Sequence, residues 1–417
     1  MQIIPSAPTP VDGSCAFDNH YYYESTSPDT YTISYCLGNQ TGTLAAGNKC
    51  ATPGGVMEDY CGNVCEYNSC HWQFLGDENV SDSAALFTSL AVHDGTPYVA
   101  YTDSSAGDKL SVKKFNGADW VAVGSLGFSD GATFGGPVIA LDDGGNPYVF
   151  YGDVAHSNRG VVQKFDGASW VDVGTIPISV GNVYYLNLKI YFNVPYILYY
   201  DTSVGTLIKK FDGANWVDVG TSPVGTDTAE SLSLDIYNGD IYIAYDDWND
   251  PGNYIEEEKL RKFNGTTWDL VGDTNANTSY RAQQTALVIN NGTPYIAYNL
   301  NPYVIKYENG VWSSVGTLLT SGNVPDLNIF TNHKDIFVSF QGYWGQGYYA
   351  VVTKYTGGGP TGWEPVGAAF GWPPPYVGNY ASLSSVTSLK SLMSDNVIYV
   401  SYVNTETNRV SVRRFDL

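Results

Sequence analysis

Past residue 70 the chain has no cysteine, and nowhere does it run for 18 apolar residues. The second absence excludes a membrane-spanning helix. Basic residues are also scarce, 20 Lys and Arg against 42 Asp and Glu, for a formal net charge of −22. A surface this acidic repels polyanions, so nucleic acid is excluded as a partner. There is no H-E-x-x-H, no G-x-S-x-G and no phosphate-binding glycine loop. The five His (20, 71, 93, 156, 333) are too scattered for a three-histidine metal centre. The opening MQIIPSAPTPVDGS has neither a basic n-region nor an apolar h-region, so no signal peptide is visible and the sequence reads as a mature form or one that lacks its leader.

What is abundant is aromatic and turn-forming: 34 Tyr, 10 Trp and 45 Gly, against 3 Met. Tyr and Trp favour strands and Gly favours tight turns, which points to an all-β chain. The six cysteines, Cys15, Cys36, Cys50, Cys61, Cys65 and Cys70, are crowded into the first 70 residues. Their spacing lacks the C-x2-C pairs of zinc knuckles, so residues 1–70 are expected to form a disulfide-rich module with three bridges of open pairing. Sequons start at Asn39, Asn79, Asn264, Asn277 and Asn291. Together with the cysteines they predict a secreted or cell-surface glycoprotein.

From residue 71 one pattern recurs: a basic residue and an aromatic, Asn/Asp-Gly, two residues, Trp, then Val-Gly. Its clearest copies are KKFNGADWVAVG (113–124), QKFDGASWVDVG (163–174), KKFDGANWVDVG (209–220) and RKFNGTTWDLVG (261–272). Weaker copies occupy 305–316 and 353–367. Between them lies a turn followed by Tyr-Val/Ile-Ala-Tyr, centred on Tyr98, Tyr148, Tyr196, Tyr242, Tyr295, Phe337 and Tyr399. Each unit thus holds four short strands, labelled A (SLDIYNG-like), B (PYIAY-like), C (KKF-like) and D (W-x-x-V-G). Units of this size with four strands are propeller blades.

The chain ends in VSVRRFDL (410–417), a C strand with no D strand after it, while HWQFLG (71–76) is a D strand with no blade of its own. Joined, they make the seventh blade and close the ring, leaving no long unpaired edge. The fold expected over 71–417 is therefore a seven-bladed β-propeller with four-stranded blades, its last blade closed by the N-terminal strand.

These residues resemble repeat-built seven-bladed propellers of extracellular type, at superfamily level only. The D-G-x-x-W stretch is also similar to a degraded Asp box of sialidase-type propellers, but lacks its leading Ser. Six Arg do not supply a recognisable arginine triad, so glycoside hydrolysis of that type is not expected.

The A–B and C–D turns are short and share one face of the disc; the D–A and B–C connections share the other, here called the loop face. Three Trp fall outside the repeat, Trp248, Trp344 and Trp372, all in loop-face segments. With Tyr343, Tyr348, Tyr376 and Tyr380 they form the expected binding residues, suited to a protein hot spot or to sugar stacking. Asp246, Asp247 and Asp250 are a weak calcium candidate without the spacing of a known loop. Lys189 and Asp235 share a column of adjacent inner strands and predict a structural ion pair. No catalytic residue is assigned. The function expected first is a non-enzymatic structural or adhesive subunit that self-assembles or binds another extracellular protein. A carbohydrate-binding lectin stands second, and a cation-dependent hydrolase third.

Overall fold

The computed structural model describes residues 72–224, 229–247, 257–272, 284–299, 302–317, 319, 324–344, 347–357, 361–366 and 385–417, with the backbone of four strands before residue 72. The chain divides into two compact units, Met1–His71 and Trp72–Leu417. The first contains an antiparallel sheet of Tyr22–Ser27, Thr30–Leu37, Gly47–Thr52 and Gly55–Glu58 in sequential order. Cys36 lies on its second strand and Cys50 on its third; Cys15, Cys61, Cys65 and Cys70 lie outside the described residues.

The second unit is the seven-bladed propeller, each blade a four-stranded antiparallel sheet in the order A-B-C-D. Blade 1 is Ala85–His93, Thr96–Asp103, Lys109–Phe115 and Trp120–Ala122. Blade 2 is Thr133–Leu141, Pro147–Asp153, Arg159–Phe165 and Trp170–Asp172. Blade 3 is Val183–Tyr191, Val194–Asp201, Gly205–Phe211 and Trp216–Asp218. Blade 4 is Ala229–Tyr237, Asp240–Asp247, Glu257–Phe263 and Trp268–Leu270. Blade 5 is Thr285–Asn290, Thr293–Tyr298, Tyr303–Glu308 and Val311–Ser314. Blade 6 is Asn328–Thr331, Ile336–Trp344, Gly347–Tyr355 and Trp363–Pro365. Blade 7 is Val386–Ser394, Val397–Asn404, Arg409–Asp416 and, as its outer strand, Gln73–Phe74. The A strands of neighbouring blades lie against one another round the ring, blade 7 against blade 1 included.

The B strands read as almost unbroken apolar runs because a neighbouring blade covers each of their faces. In PYVAY (97–101) all five residues are buried. The second Tyr of that motif, or its Phe equivalent, is buried in every blade: Tyr101, Tyr151, Tyr199, Tyr245, Tyr298, Phe340 and Tyr402. Burial pushes the Tyr101, Tyr151, Tyr199 and Tyr298 hydroxyls well above the ordinary tyrosine range. The core is thus a set of layers between blades. Val99 and Tyr101 of blade 1, for example, pack with Tyr399, Val410 and Val412 of blade 7.

The repeated Trp fastens each blade to the one before it. Its indole Nε1–H donates to the carbonyl of the residue preceding the motif Gly. The links are Trp120 to Leu75 (2.6 Å), Trp170 to Val123 (2.8 Å), Trp216 to Val173 (2.7 Å) and Trp268 to Val219 (3.0 Å). Trp312 to Val271 (3.3 Å), Trp363 to Val315 (3.0 Å) and Trp72 to Val366 (3.1 Å) complete the girdle. Within its own blade each Trp leans on the aromatic of strand C, as Trp170 does on Phe165 at 5.7 Å and Trp72 on Phe415 at 5.4 Å. Closure adds backbone bonds from Leu75 N to Val412 O (3.0 Å) and from Val80 N to Val410 O (2.7 Å). The Arg413 guanidinium also stacks 3.9 Å from the Phe74 ring centre.

The Asp-box-like stretch is a turn cap. In blades 1 to 4 the Asn or Asp side chain accepts the N–H groups of the second and third residues after it, as Asp166 does from Ala168 (2.8 Å) and Ser169 (2.8 Å). The backbone N–H groups of Ser169 and Ala168, and of Asn215 and Ala214, hold the Asp166 and Asp212 carboxyls below the ordinary value of 3.8. Blades 1 and 4 use Asn116 and Asn264 for the same bonds. A depressed carboxyl contributes stability above its unfolded value and loses it as pH falls through the folded one. Replacing Asp166 and Asp212 by Asn should therefore leave the melting temperature at pH 7 nearly unchanged and slow its decline below pH about 3.8. Parallel melting curves from pH 7 to 2.5 for both proteins check this.

Candidate functional site

The inner strands determine what the channel offers. Side chains on strand A of one blade bond the backbone edge of the next. Ser231, Ser233 and Asp235 of blade 4 accept from Thr285 N (2.6 Å), Leu287 N (2.9 Å) and Ile289 N (2.8 Å) of blade 5. Ser89 joins blade 1 to blade 2 through Ile139 N (3.1 Å), and Asn187 joins blade 3 to blade 4 through Leu234 N (3.2 Å). Gln284 accepts from Leu327 N (2.9 Å) and Asp326 from Leu389 N (2.8 Å). Ser388 accepts from Thr88 N (2.8 Å), so the seam crosses the closing junction. The expected pair of Lys189 and Asp235 is present at 3.2 Å. Both Asp235 oxygens are engaged, one by Lys189 and one by Ile289 N, which gives it a structural role rather than that of a free acid or base.

Blade 2 breaks the seam. Its stitching positions are Gly136, Val138 and Ala140, which carry no side-chain donor or acceptor. Aromatic contact replaces the polar one: Phe134 meets Tyr184 of blade 3 edge to face at 5.3 Å, and Phe87 of blade 1 lies over Gly136. Strand A is bulged near its loop-face end in blades 1, 2, 3, 4 and 7, between Ala85 and Thr88, Phe134 and Val138, Tyr184 and Asn187, Glu230 and Leu232, and Thr387 and Lys390. A bulge re-aims the side chains it carries. Leu86 (51% exposed), Phe87 (40%), Tyr184 (41%) and Tyr185 (42%) consequently stand in solvent although they belong to inner strands. Tyr185 also sits at φ +54°, the left-handed region that a bulky residue enters only at a cost. The result is an arc of rings over three blades at the loop-face mouth of the channel, exposed on blades 1 and 3 and half-buried at Phe134 on blade 2.

The carboxylates beside this arc are committed to the frame. Asp103, Asp153 and Asp201, all buried, end the B strands and accept backbone N–H groups of the loops. Asp153 takes Ala155 N (2.7 Å) and Gly131 N (3.3 Å), and Asp201 takes Val180 N (2.9 Å), Gly181 N (2.9 Å) and Ser203 N (2.8 Å). They tie B–C loops to D–A loops and hold the rim rigid. Ser81, Ser129 and Ser179 do similar work, each Oγ donating to a carbonyl two residues on. His156 lies 3.8 Å from Asp153 and 3.9 Å from Asp130.

Of the binding residues expected from the sequence, Tyr343 and Tyr348 face each other across strands B and C of blade 6. Their rings are 5.2 Å apart at 60°, and they are 61% and 38% exposed. Trp344 is the last residue of that B strand. Trp248, Trp372, Tyr376 and Tyr380 lie outside the described residues. Of the calcium candidates, Asp246 is buried opposite Glu258, Asp247 ends the same strand, and Asp250 is outside the described residues. Among the described residues no three His, Cys, Asp or Glu side chains are placed to hold a metal, and no helix is long and apolar enough to cross a membrane.

Asn264 and Asn291 lie in exposed turns, and Asn79 stands beside the closing strand with Ser81 of its sequon buried. Asn39 and Asn277 are outside the described residues. The aromatic arc was not singled out in the sequence. Its only marks there are the doubled Tyr184-Tyr185 and the Gly135-Gly136 pair inside a strand.

No protein-family model matches the chain, and no curated protein matches it either. Solved structures do share its fold. Polysaccharide lyase Uly1 is 11% identical with a TM-score of 0.53, over 86% of this chain and 93% of that one. The β-propeller domain of the Trilobed protease from Pyrococcus furiosus is 7% identical with a TM-score of 0.51, over 80% and 96%. An ulvan lyase bound to -[GlcA(1-4)Rha3S]- is 12% identical with a TM-score of 0.48, over 82% and 95%. The first two likenesses establish the propeller fold. The first functional expectation, a non-enzymatic structural or adhesive subunit, is corrected here. A solved structure of the same fold is that of a polysaccharide lyase.

Proposed function

We propose that this chain is an extracellular carbohydrate-active propeller that holds a polysaccharide across the loop-face mouth of its channel. The observation that carries this reading is the arc of Phe87, Tyr184 and Tyr185, exposed rings on inner strands, with the half-buried Phe134 packed against Tyr184. Sugar rings present an apolar C–H face and a hydroxylated edge. Tyr offers the matching pair, a flat apolar body and a polar tip. The propeller is also the fold of polysaccharide lyase Uly1. The net charge of −22 favours an uncharged polymer over a polyanion. The same proposal includes residues 1–70 as a separate module with three disulfides among Cys15, Cys36, Cys50, Cys61, Cys65 and Cys70, and 71–417 as the propeller domain. Secretion and glycans on the exposed sequons belong to it too.

Affinity electrophoresis through gels containing neutral polysaccharides tests the reading. The double variant Tyr184→Ala, Tyr185→Ala should lose two aromatic contacts, about 1 to 3 kcal/mol together, or roughly 5- to 150-fold in affinity. Equal migration of wild type and variant in every gel sinks the proposal. Incubation of the retarded polymer with the protein, followed by assay of new reducing ends, separates an enzyme from a lectin.

A further inference from the structure

Strand B ends at Asp103, Asp153 and Asp201 in blades 1, 2 and 3, but in blade 6 it continues past the matching Gly342 to Trp344. Strand C follows it, with Gly342 opposite Tyr349, Tyr343 opposite Tyr348 and Trp344 opposite Gly347. Strand A of that blade is only Asn328–Thr331 and reaches no further along strand B than Ser339. Beyond Gln341, whose N–H donates to Pro325 O at 3.0 Å, strands B and C therefore stand on the loop face as a two-stranded ribbon.

Alternation along strand B puts Tyr343 on the same side as Phe337, which packs with Val386, Leu389 and Val400 of blade 7. Tyr348, its cross-strand neighbour, joins it on that side. Tyr348 N donates to Ser385 Oγ at 3.0 Å, which pins the ribbon at the entry to blade 7. The two rings meet edge to face and yet remain 61% and 38% exposed. A ribbon two strands wide gives such rings little to bury against, so they form a second aromatic platform. Blade order sets this platform against the first. In a ring of seven, the place directly across from blade 6 is the junction of blades 2 and 3. That junction carries the contact of Phe134 with Tyr184, and Tyr185 follows in the same strand. Both platforms stand on the loop face, with the channel mouth between them.

We infer that one polysaccharide chain lies on both platforms at once, so that the protein selects long, linear chains and holds short oligomers by the arc alone. The inference rests on the arc as a saccharide site and adds its second contact. A chain long enough to reach makes the second contact intramolecular, and affinity then exceeds that of either platform. Calorimetry with linear oligosaccharides of mannose, xylose, glucose and galactose, fractionated by length, tests it. For at least one series the wild-type affinity should step up at least tenfold at one chain length. Tyr343→Ala, Tyr348→Ala should remove the step and leave the shorter oligomers bound as before. Tyr343→Phe, Tyr348→Phe should keep it, since the flat apolar ring remains. Wild-type affinity that is level with length, or a step that survives the Ala variant, overturns the second platform and leaves the arc standing. So does a step lost in the Phe variant, or an Ala variant that weakens short and long oligomers equally. Wild type that binds no series at any length overturns the arc and this inference together.

Discussion

Trp72→Ala should destabilise the propeller by about 3–5 kcal/mol, the range for emptying a buried aromatic position. The side chain is buried, packs on Phe415 and sits in one core layer with Phe330, Phe337, Val366 and Val386. Its indole also satisfies Val366 O, a carbonyl the substitution would strand in a buried setting. Trp120→Ala removes the corresponding link between blade 1 and blade 7, and Trp120 is less buried. Urea titration of both variants should place Trp72→Ala at or below Trp120→Ala. A loss under 1 kcal/mol for Trp72→Ala would mean that the closing strand is not what holds blade 7.

Gly316→Ala should cost about 2–5 kcal/mol. Gly316 sits at φ +72°, where an L-residue pays about 1–2 kcal/mol. A Cβ there would also lie 2.5 Å from the Thr361 carbonyl oxygen and 2.6 Å from the Trp363 indole nitrogen. Backbone cannot swing aside as a side chain can, so overpacking adds about 1–3 kcal/mol. Gly167→Ala is the control. Its φ of +102° is unfavourable too, but the space around it is open. Chemical denaturation of the two proteins should therefore separate the conformational cost from the steric one. Equal losses would show that girdle glycines serve only their dihedral angles.

Blade number, strand order and closure were legible because each has a repeated mark in the chain. Trp-x-x-Val-Gly combines the indole that donates with the glycine that leaves room for the next indole, so its spacing counts blades. Trp72 without a blade and Phe415 without a Trp identify the closing pair just as directly. The aromatic arc had no such mark. Phe87 and Tyr184 occupy strand A with nothing in the sequence to set them apart, and bulges, which follow from backbone geometry, turn them outward. The polar seam was hidden for a related reason. Ser89, Ser233 and Ser388 look like surface serines until the ring brings the next blade's N–H groups to them. Lys189 and Asp235 were legible because opposite charges in one column of adjacent strands leave little else to pair with.

The girdle link between Trp72 and Val366 joins residues 294 positions apart. During synthesis the closing strand leaves the ribosome well before its partner strand, Arg409–Asp416. At about 5–20 residues per second the interval is on the order of tens of seconds. Throughout it the nascent chain carries one bare strand edge and one large aromatic with nowhere to bury. Six blades can stack as they emerge, each on its predecessor, while the seventh waits for both ends. Closure of the ring is therefore the last packing step open to this fold, and Trp72 stays without its acceptor until Val366 has been made.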